Sequence, residues 1–223
     1  MTDTDDPAAR WSALPASVRE RLEARLRNVA DVPAPPGRAA PAKGGGPDVL
    51  SYAQERLLFL DRLQPGTAAD NRAWAFRLHG ALDVSALERT LGEILRRHDI
   101  LRTVYLLEGD RIVPAVRAEA SVRLAAADLS CLPAGERLAA AERLAETELL
   151  RPFELSAEIP FRPVLARLGT EDHILLLAIH HIAFDVTSED VFLREASEIY
   201  PAFRTGRASP LAGVAPRYAD FAR

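Results

Sequence analysis

The sequence predicts an α/β sandwich built on a mixed sheet, and three observations carry that prediction. Helical and strand-like patterns follow one another as helix, strand, helix, hairpin, helix, hairpin, helix, without the strict strand–helix–strand repetition of an all-parallel sheet. Residues 174–179 (ILLLAI) form an unbroken apolar run, the pattern of a strand covered on both faces. Two further stretches, Arg72–Leu78 and Phe161–Leu168, alternate as half-buried strands do.

Taken in order, the first ten residues are polar and acidic and carry no period. Residues 14–29 (LPASVRERLEARLRNV) read as a short amphipathic helix, with Val18, Leu22, Leu26 and Val29 on one stripe and Glu23 and Arg27 spaced for a weak ion pair. Ser12 and Pro15 are its candidate opening residues. Residues 31–48 (DVPAPPGRAAPAKGGGPD) are a linker, because their Pro and Gly content supports no regular element. Residues 1–47 therefore stand apart from the domain, and the helix within them is a candidate docking segment for a partner protein.

The compact part opens with a helix over Ser51–Leu60, with Ser51 as N-cap. Pro65-Gly66 turns the chain into the Arg72–Leu78 strand, and a helix over Asp83–His98 buries Leu87, Leu91, Ile94 and Leu95. Ile100–Leu107 and Arg111–Val116 form a hairpin around Glu108-Gly109-Asp110, with Pro114 marking a sheet edge. Val122–Leu124 is a candidate short strand. Pro133–Leu150, rich in Ala, Glu and Leu, is the strongest helical pattern in the chain. Phe161–Leu168 and His173–Ile179 form a second hairpin around Gly169–Asp172, and Ser188–Phe203 is the helix that follows it. Arg217–Arg223 opens one more element.

Composition narrows the function. The net charge of −4 leaves no basic footprint for nucleic acid. A lone cysteine, Cys131, forms no internal disulfide and suits a reducing compartment. No apolar run reaches the length of a membrane span, and the acidic start lacks the order of a signal peptide. A cytoplasmic protein is expected.

The chemistry concentrates at the end of the apolar run. Two imidazoles, His180 and His181, follow Ile179, and Asp185 stands four residues after the second. Titratable groups at the end of a buried strand are costly unless they are paired or used. Histidine exchanges protons near neutral pH, so catalysis and a satisfied core position are both open on these residues alone. A metal is disfavoured, since HHxxxD is not a usual zinc spacing.

Separated stretches resemble one family in order and spacing. Ser51–Arg56 (SYAQER) is similar to the SxAQxR opening of the condensation domains of nonribosomal peptide synthetases. Arg97–Thr103 (RHDILRT) resembles their RHExLRT, His180–Asp185 their HHxxxDG, and Tyr218–Ala222 (YADFA) their YxDFA. Pro152–Leu155 (PFEL) resembles a PFDL element between them. The resemblance covers residues 48–223. It implies a chloramphenicol acetyltransferase-like sandwich lobe with a mixed sheet and flanking helices, the N-terminal one of two facing lobes, with the C-terminal lobe absent.

That resemblance also implies a role for each residue. His181 is the catalytic residue, which accepts a proton from the attacking amine or orients it, and His180 is structural. Asp185 is expected to pair with Arg56 and hold the loop. Val186, where the family has Gly, and Ser188 are expected to shape the channel, and Thr187 replaces a common Trp. The implied reaction joins a donor acyl thioester to an acceptor amine, both carried on phosphopantetheine by carrier proteins, with no cofactor bound to this chain. The expected partners are those donor and acceptor carriers and the C-terminal lobe. The face that meets that lobe is expected to self-associate otherwise. Two alternatives within the resemblance are a non-catalytic scaffold that recruits a carrier or tailoring enzyme, and an epimerisation domain or free-standing acyltransferase.

Overall fold

A computed structural model describes residues 49–118, 122–211 and 218. The helix expected over 14–29, the linker over 31–48 and all but Tyr218 of the element expected over 217–223 lie outside the described residues.

Four strands form the central sheet in the order β1 (Asn71–His79), β6 (Asp172–His180), β5 (Phe161–Arg167), β4 (Ala125–Asp128). β1 runs antiparallel to β6 and β6 antiparallel to β5, while β4 lies parallel to β5, so the sheet is mixed as expected. The hairpin β2 (Thr103–Glu108) and β3 (Arg111–Val116) forms a separate two-stranded ribbon. Gly109 turns it at φ +62°, a left-handed conformation that suits glycine.

Helices cover both faces of the central sheet. Alternate β6 residues Leu175, Leu177 and Ile179 enter one core with Leu87, Leu91, Ile94 and Leu95 of α2 (Val84–Arg97) and Phe192 and Ile199 of α4 (Val186–Arg204). The intervening Ile174 and Leu176 enter a second core with Ala140, Ala141 and Leu144 of α3 (Ala134–Leu150). Burial on both sides is why residues 174–179 are continuously apolar. The remaining helix, α1 (Tyr52–Leu63), is closed by a capping box in which Ser51 accepts from the Gln54 N–H and the Gln54 side chain returns to the Ser51 N–H.

Two expectations are corrected. The strand expected from Ile100 begins at Thr103, because Asp99–Arg102 close a 3-10 turn. There the Thr103 hydroxyl donates to the Asp99 carbonyl and Arg102 pairs with the Asp99 carboxylate. The short strand expected at Val122–Leu124 begins three residues later, at Ala125–Asp128. Glu88 takes the Leu124 N–H at 3.0 Å, and pairing with β5 starts only at Ala125.

Candidate active site

The end of β6 sends the two histidines into different surroundings. His180 continues the alternation of Ile174 and Leu176 toward the α3 side and is 5% exposed. Its Nδ1 accepts the Ile182 N–H at 3.1 Å, so Nδ1 is unprotonated and a neutral ring carries its proton on Nε2. Phe153 meets it edge-on at 6.1 Å, and the Arg162 guanidinium lies 3.7 Å from the centroid of that phenyl ring. Burial pushes the His180 pKa down to about 4; nearby Asp70 opposes the shift, while His181, Arg72 and Arg162 add to it. Next to it Asn71, the strand partner of His180, donates to the Leu149 and Arg151 carbonyls at 2.8 Å each and closes the end of α3.

His181 is held differently. Its N–H donates to the Asp70 carbonyl at 2.8 Å, and the chain then turns, with the Ala183 N–H reaching back to the His180 carbonyl at 3.1 Å. The ring Nδ1 lies 2.9 Å from the Phe184 carbonyl. A carbonyl oxygen only accepts, so Nδ1 carries the proton. That assignment leaves Nε2 of the half-buried ring without a protein partner among the described residues. An imidazole nitrogen without a protein partner can accept a proton whenever the ring is neutral.

Asp185 caps α4. Its carboxylate accepts from the Ser188 N–H at 2.8 Å and from the Ser188 hydroxyl at 2.6 Å, while the Asp185 N–H returns to Ser188 Oγ at 3.2 Å. These hydrogen bonds hold the carboxyl below the usual carboxylate range. The expected pair with Arg56 is corrected. Arg56 is exposed on α1, no ion pair joins it to Asp185 among the described residues, and the carboxylate is already engaged by the cap. The Asp-x-x-Ser spacing is a capping-box signal that the sequence carries in plain view. The same cap starts α4 at Val186, two residues before the expected start.

Val186 occupies the first helical position and is 80% exposed. No non-glycine residue among those described has positive φ, so the β-branched side chain sits there without backbone strain. A cavity of about 320 Å³ opens beside this turn, between Ile94, His98 and Leu101 on one wall and Phe184, Thr187 and Ser188 on the other. His181 does not line it. Among the described residues no three His, Cys, Asp or Glu side chains converge as a metal site would need, and no helix is long and apolar enough to cross a membrane.

The other resembling stretches are brought together as supports rather than as reacting groups. Ser51 Oγ and the Tyr218 hydroxyl are 3.0 Å apart, and Gln54 Nε2 donates to the Tyr105 hydroxyl at 3.0 Å. Buried Glu195 of α4 accepts from Arg97 at 3.2 Å and meets His98 Nε2 at 2.9 Å, which ties α4 to the end of α2. Phe184, whose carbonyl fixes the His181 ring, was missed from the sequence, because no side-chain motif signals a backbone acceptor.

The condensation-domain family model matches residues 48–223. The chain belongs to the condensation-domain family. Condensation domains are amide-forming acyltransferases of nonribosomal peptide synthetases. This one is 39% identical over 178 residues to the chondramide synthase cmdD of Chondromyces crocatus, a match that covers 79% of the chain and 5% of that protein. It is 35% identical over 218 residues to phosphinothricin tripeptide synthetase PhsC of Streptomyces viridochromogenes, covering 98% of the chain and 20% of that protein. Among solved structures, the X-domain from teicoplanin biosynthesis aligns with a TM-score of 0.70 and 33% identity over 84% of this chain and 39% of its own. The first condensation domain of the calcium-dependent antibiotic synthetase, in complex with a substrate analogue, aligns with a TM-score of 0.67 and 26% identity over 76% of this chain and 40% of its own. This condensation-family chain thus spans a small part of the curated relatives and about two fifths of the solved ones.

Proposed function

We propose that this chain is the N-terminal, histidine-bearing lobe of an amide-forming condensation domain, and that His181 Nε2 accepts the proton of the attacking amine. The single observation that carries the reading is the 2.9 Å bond from His181 Nδ1 to the Phe184 carbonyl, which directs the basic nitrogen away from the loop. The amine nitrogen attacks the thioester carbonyl, the sulfur leaves on its phosphopantetheine arm, and the amine's proton passes to Nε2. Positioning contributes as much as basicity, because a neutral, aligned amine already attacks a thioester well.

The donor and the acceptor both arrive on carrier proteins. The second lobe closes the other wall of the tunnel, and the lobe is inactive without it. The exposed apolar residues Tyr52, Phe59 and Leu63 of α1 support a partner or a second copy on that surface. Residues 1–47 serve as a docking segment, and the protein works in the cytoplasm without a bound cofactor. The test is His181→Ala in the complete two-lobe domain, assayed with loaded carriers. Loss of amide formation with the fold intact supports the reading, and unchanged product formation overturns it.

A second reading is a non-catalytic scaffold of the same fold that recruits a tailoring enzyme. Val186 in place of the family's Gly favours it, as does likeness to an X-domain described in complex with OxyB, at 30% identity and a TM-score of 0.72. It is the reading to adopt if His181→Ala leaves product formation unchanged.

A further inference from the structure

Trp74 of β1 and Glu189 of α4 lie 115 residues apart and meet beside the histidine loop. The indole N–H of Trp74 donates to Glu189 Oε2 at 2.7 Å. The Trp74 ring meets Phe184 edge-on, with centroids 4.7 Å apart and planes at 64°. Phe184 is buried and also meets Phe192 edge-on, at 6.4 Å. The carbonyl of this same Phe184 receives the His181 Nδ1 proton.

We propose that the Trp74–Glu189 pair is a positioning clamp, which holds the Phe184 carbonyl against His181 Nδ1 and so keeps Nε2 as the free nitrogen. The proposal rests on the reading of His181 as the proton acceptor. Its mechanical basis is that the peptide after Phe184 is gripped at both ends. Before it, the Phe184 ring is packed against both Trp74 and Phe192. After it, Asp185 is fixed by the cap on Ser188, and Glu189 belongs to that same first turn of α4. Trp74 therefore touches the ring before the peptide and anchors the helical turn after it.

The chemistry of the pair suits the task. A partly buried indole N–H needs an acceptor, and a carboxylate supplies a short, charge-assisted one. A carboxylate in the first turn of a helix is further favoured by the helix dipole. Which nitrogen of a neutral imidazole is protonated is set by the hydrogen bond the other makes. If the Phe184 carbonyl drifts, the His181 ring samples both tautomers and presents the wrong nitrogen for part of the time. Trp74 and Glu189 touch no reacting atom in this account and act only through Phe184.

The test is the ring tautomer of His181 in the ¹⁵N-labelled chain, read from long-range ¹H–¹⁵N spectra at a pH where imidazoles are neutral. The unaltered chain gives the Nδ1–H form. Glu189→Ala and Trp74→Phe, which each remove one half of the hydrogen bond, are expected to give a mixture of tautomers. Glu189→Gln keeps an oxygen for the indole N–H and is expected to preserve the Nδ1–H form. The proposal is overturned if Glu189→Ala and Trp74→Phe both retain a pure Nδ1–H signature, or if Glu189→Gln loses it as fully as Glu189→Ala. Should Glu189→Ala fail to fold, Trp74→Phe decides alone, since it keeps an aromatic ring against Phe184. In the complete domain the two disruptive variants should lose on the order of tenfold in kcat, with KM little changed. A wrong clamp and a wrong catalytic assignment are told apart. The first leaves the tautomer unmoved while His181→Ala still abolishes product, and the second moves the tautomer while His181→Ala stays active.

Discussion

His180 and His181 are neighbours in sequence and opposites in setting. His180 lies on the α3 side, dry, its Nδ1 consumed by the Ile182 N–H, and kept neutral by burial. His181 lies past the strand end, half-buried, with Nδ1 consumed by a carbonyl and Nε2 free of protein partners among the described residues. The same ring chemistry thus serves two tasks, and the difference is made by what each Nδ1 touches. One ring accepts a hydrogen bond that shapes the loop, and the other donates one that leaves its far nitrogen without a protein partner among the described residues.

The sharpest way to separate the two is to remove the His181 ring, the proposed base. His181→Ala should lower amide formation in the complete domain by about 10²–10⁴-fold, the range for a general base, measured as kcat/KM with carrier-bound substrates. Its effect on unfolding free energy should stay within about 1.5 kcal/mol, the net worth of the one hydrogen bond that the half-buried ring makes. An equal loss of stability and activity would erase the distinction.

The next largest effect falls on the junction between α4 and the end of α2. Glu195→Ala leaves the Arg97 guanidinium, 8% exposed, without its carboxylate and detaches α4 from the end of α2. A loss of about 2 kcal/mol is expected in urea unfolding, because the substitution removes the charge-assisted hydrogen bonds that Glu195 makes to Arg97 and His98.

The His180 side is probed by acid. A histidine whose pKa falls from 6.5 to about 4 on folding takes up its proton first in the unfolded chain. The stability that depends on its neutral form is complete above pH 6.5 and is lost as pH falls from 6.5 toward 4, by about 3 kcal/mol at most. His180→Asn, whose amide oxygen stands where Nδ1 does and can still accept the Ile182 N–H, should flatten that part of the curve in unfolding measured across pH. A slope that survives the substitution belongs to other groups.

The smallest effect tests the cap. Asp185→Ala should cost about 1 kcal/mol of stability, and Asp185→Asn much less, because both hydrogen bonds to Ser188 end on a side-chain oxygen.

Much of this arrangement was legible in the sequence. Residues 174–179 announced a doubly covered strand because α2 and α4 on one face and α3 on the other leave no polar position between Ile174 and Ile179. Motif resemblance pointed to the histidine pair. The division of labour between the two imidazoles was beyond periodicity, because it depends on a turn that places the Phe184 carbonyl and the Ile182 N–H. The Asp185–Arg56 pair was expected from resemblance, while the Asp-x-x-Ser spacing already named the partner that the carboxylate takes. β4 escaped for a different reason. Ala125–Asp128 has little strand propensity and is ordered by its parallel pairing with Val164–Arg167, a tertiary effect.

The most direct measurement is a pH titration of both imidazoles in the ¹⁵N-labelled chain, followed by long-range ¹H–¹⁵N spectra. The expected result is His180 as the Nε2–H form, neutral until the pH nears about 4, beside His181 as the Nδ1–H form wherever it is neutral. A neutral His181 ring with its proton on Nε2, or a His180 that titrates near 6.5, would contradict the account.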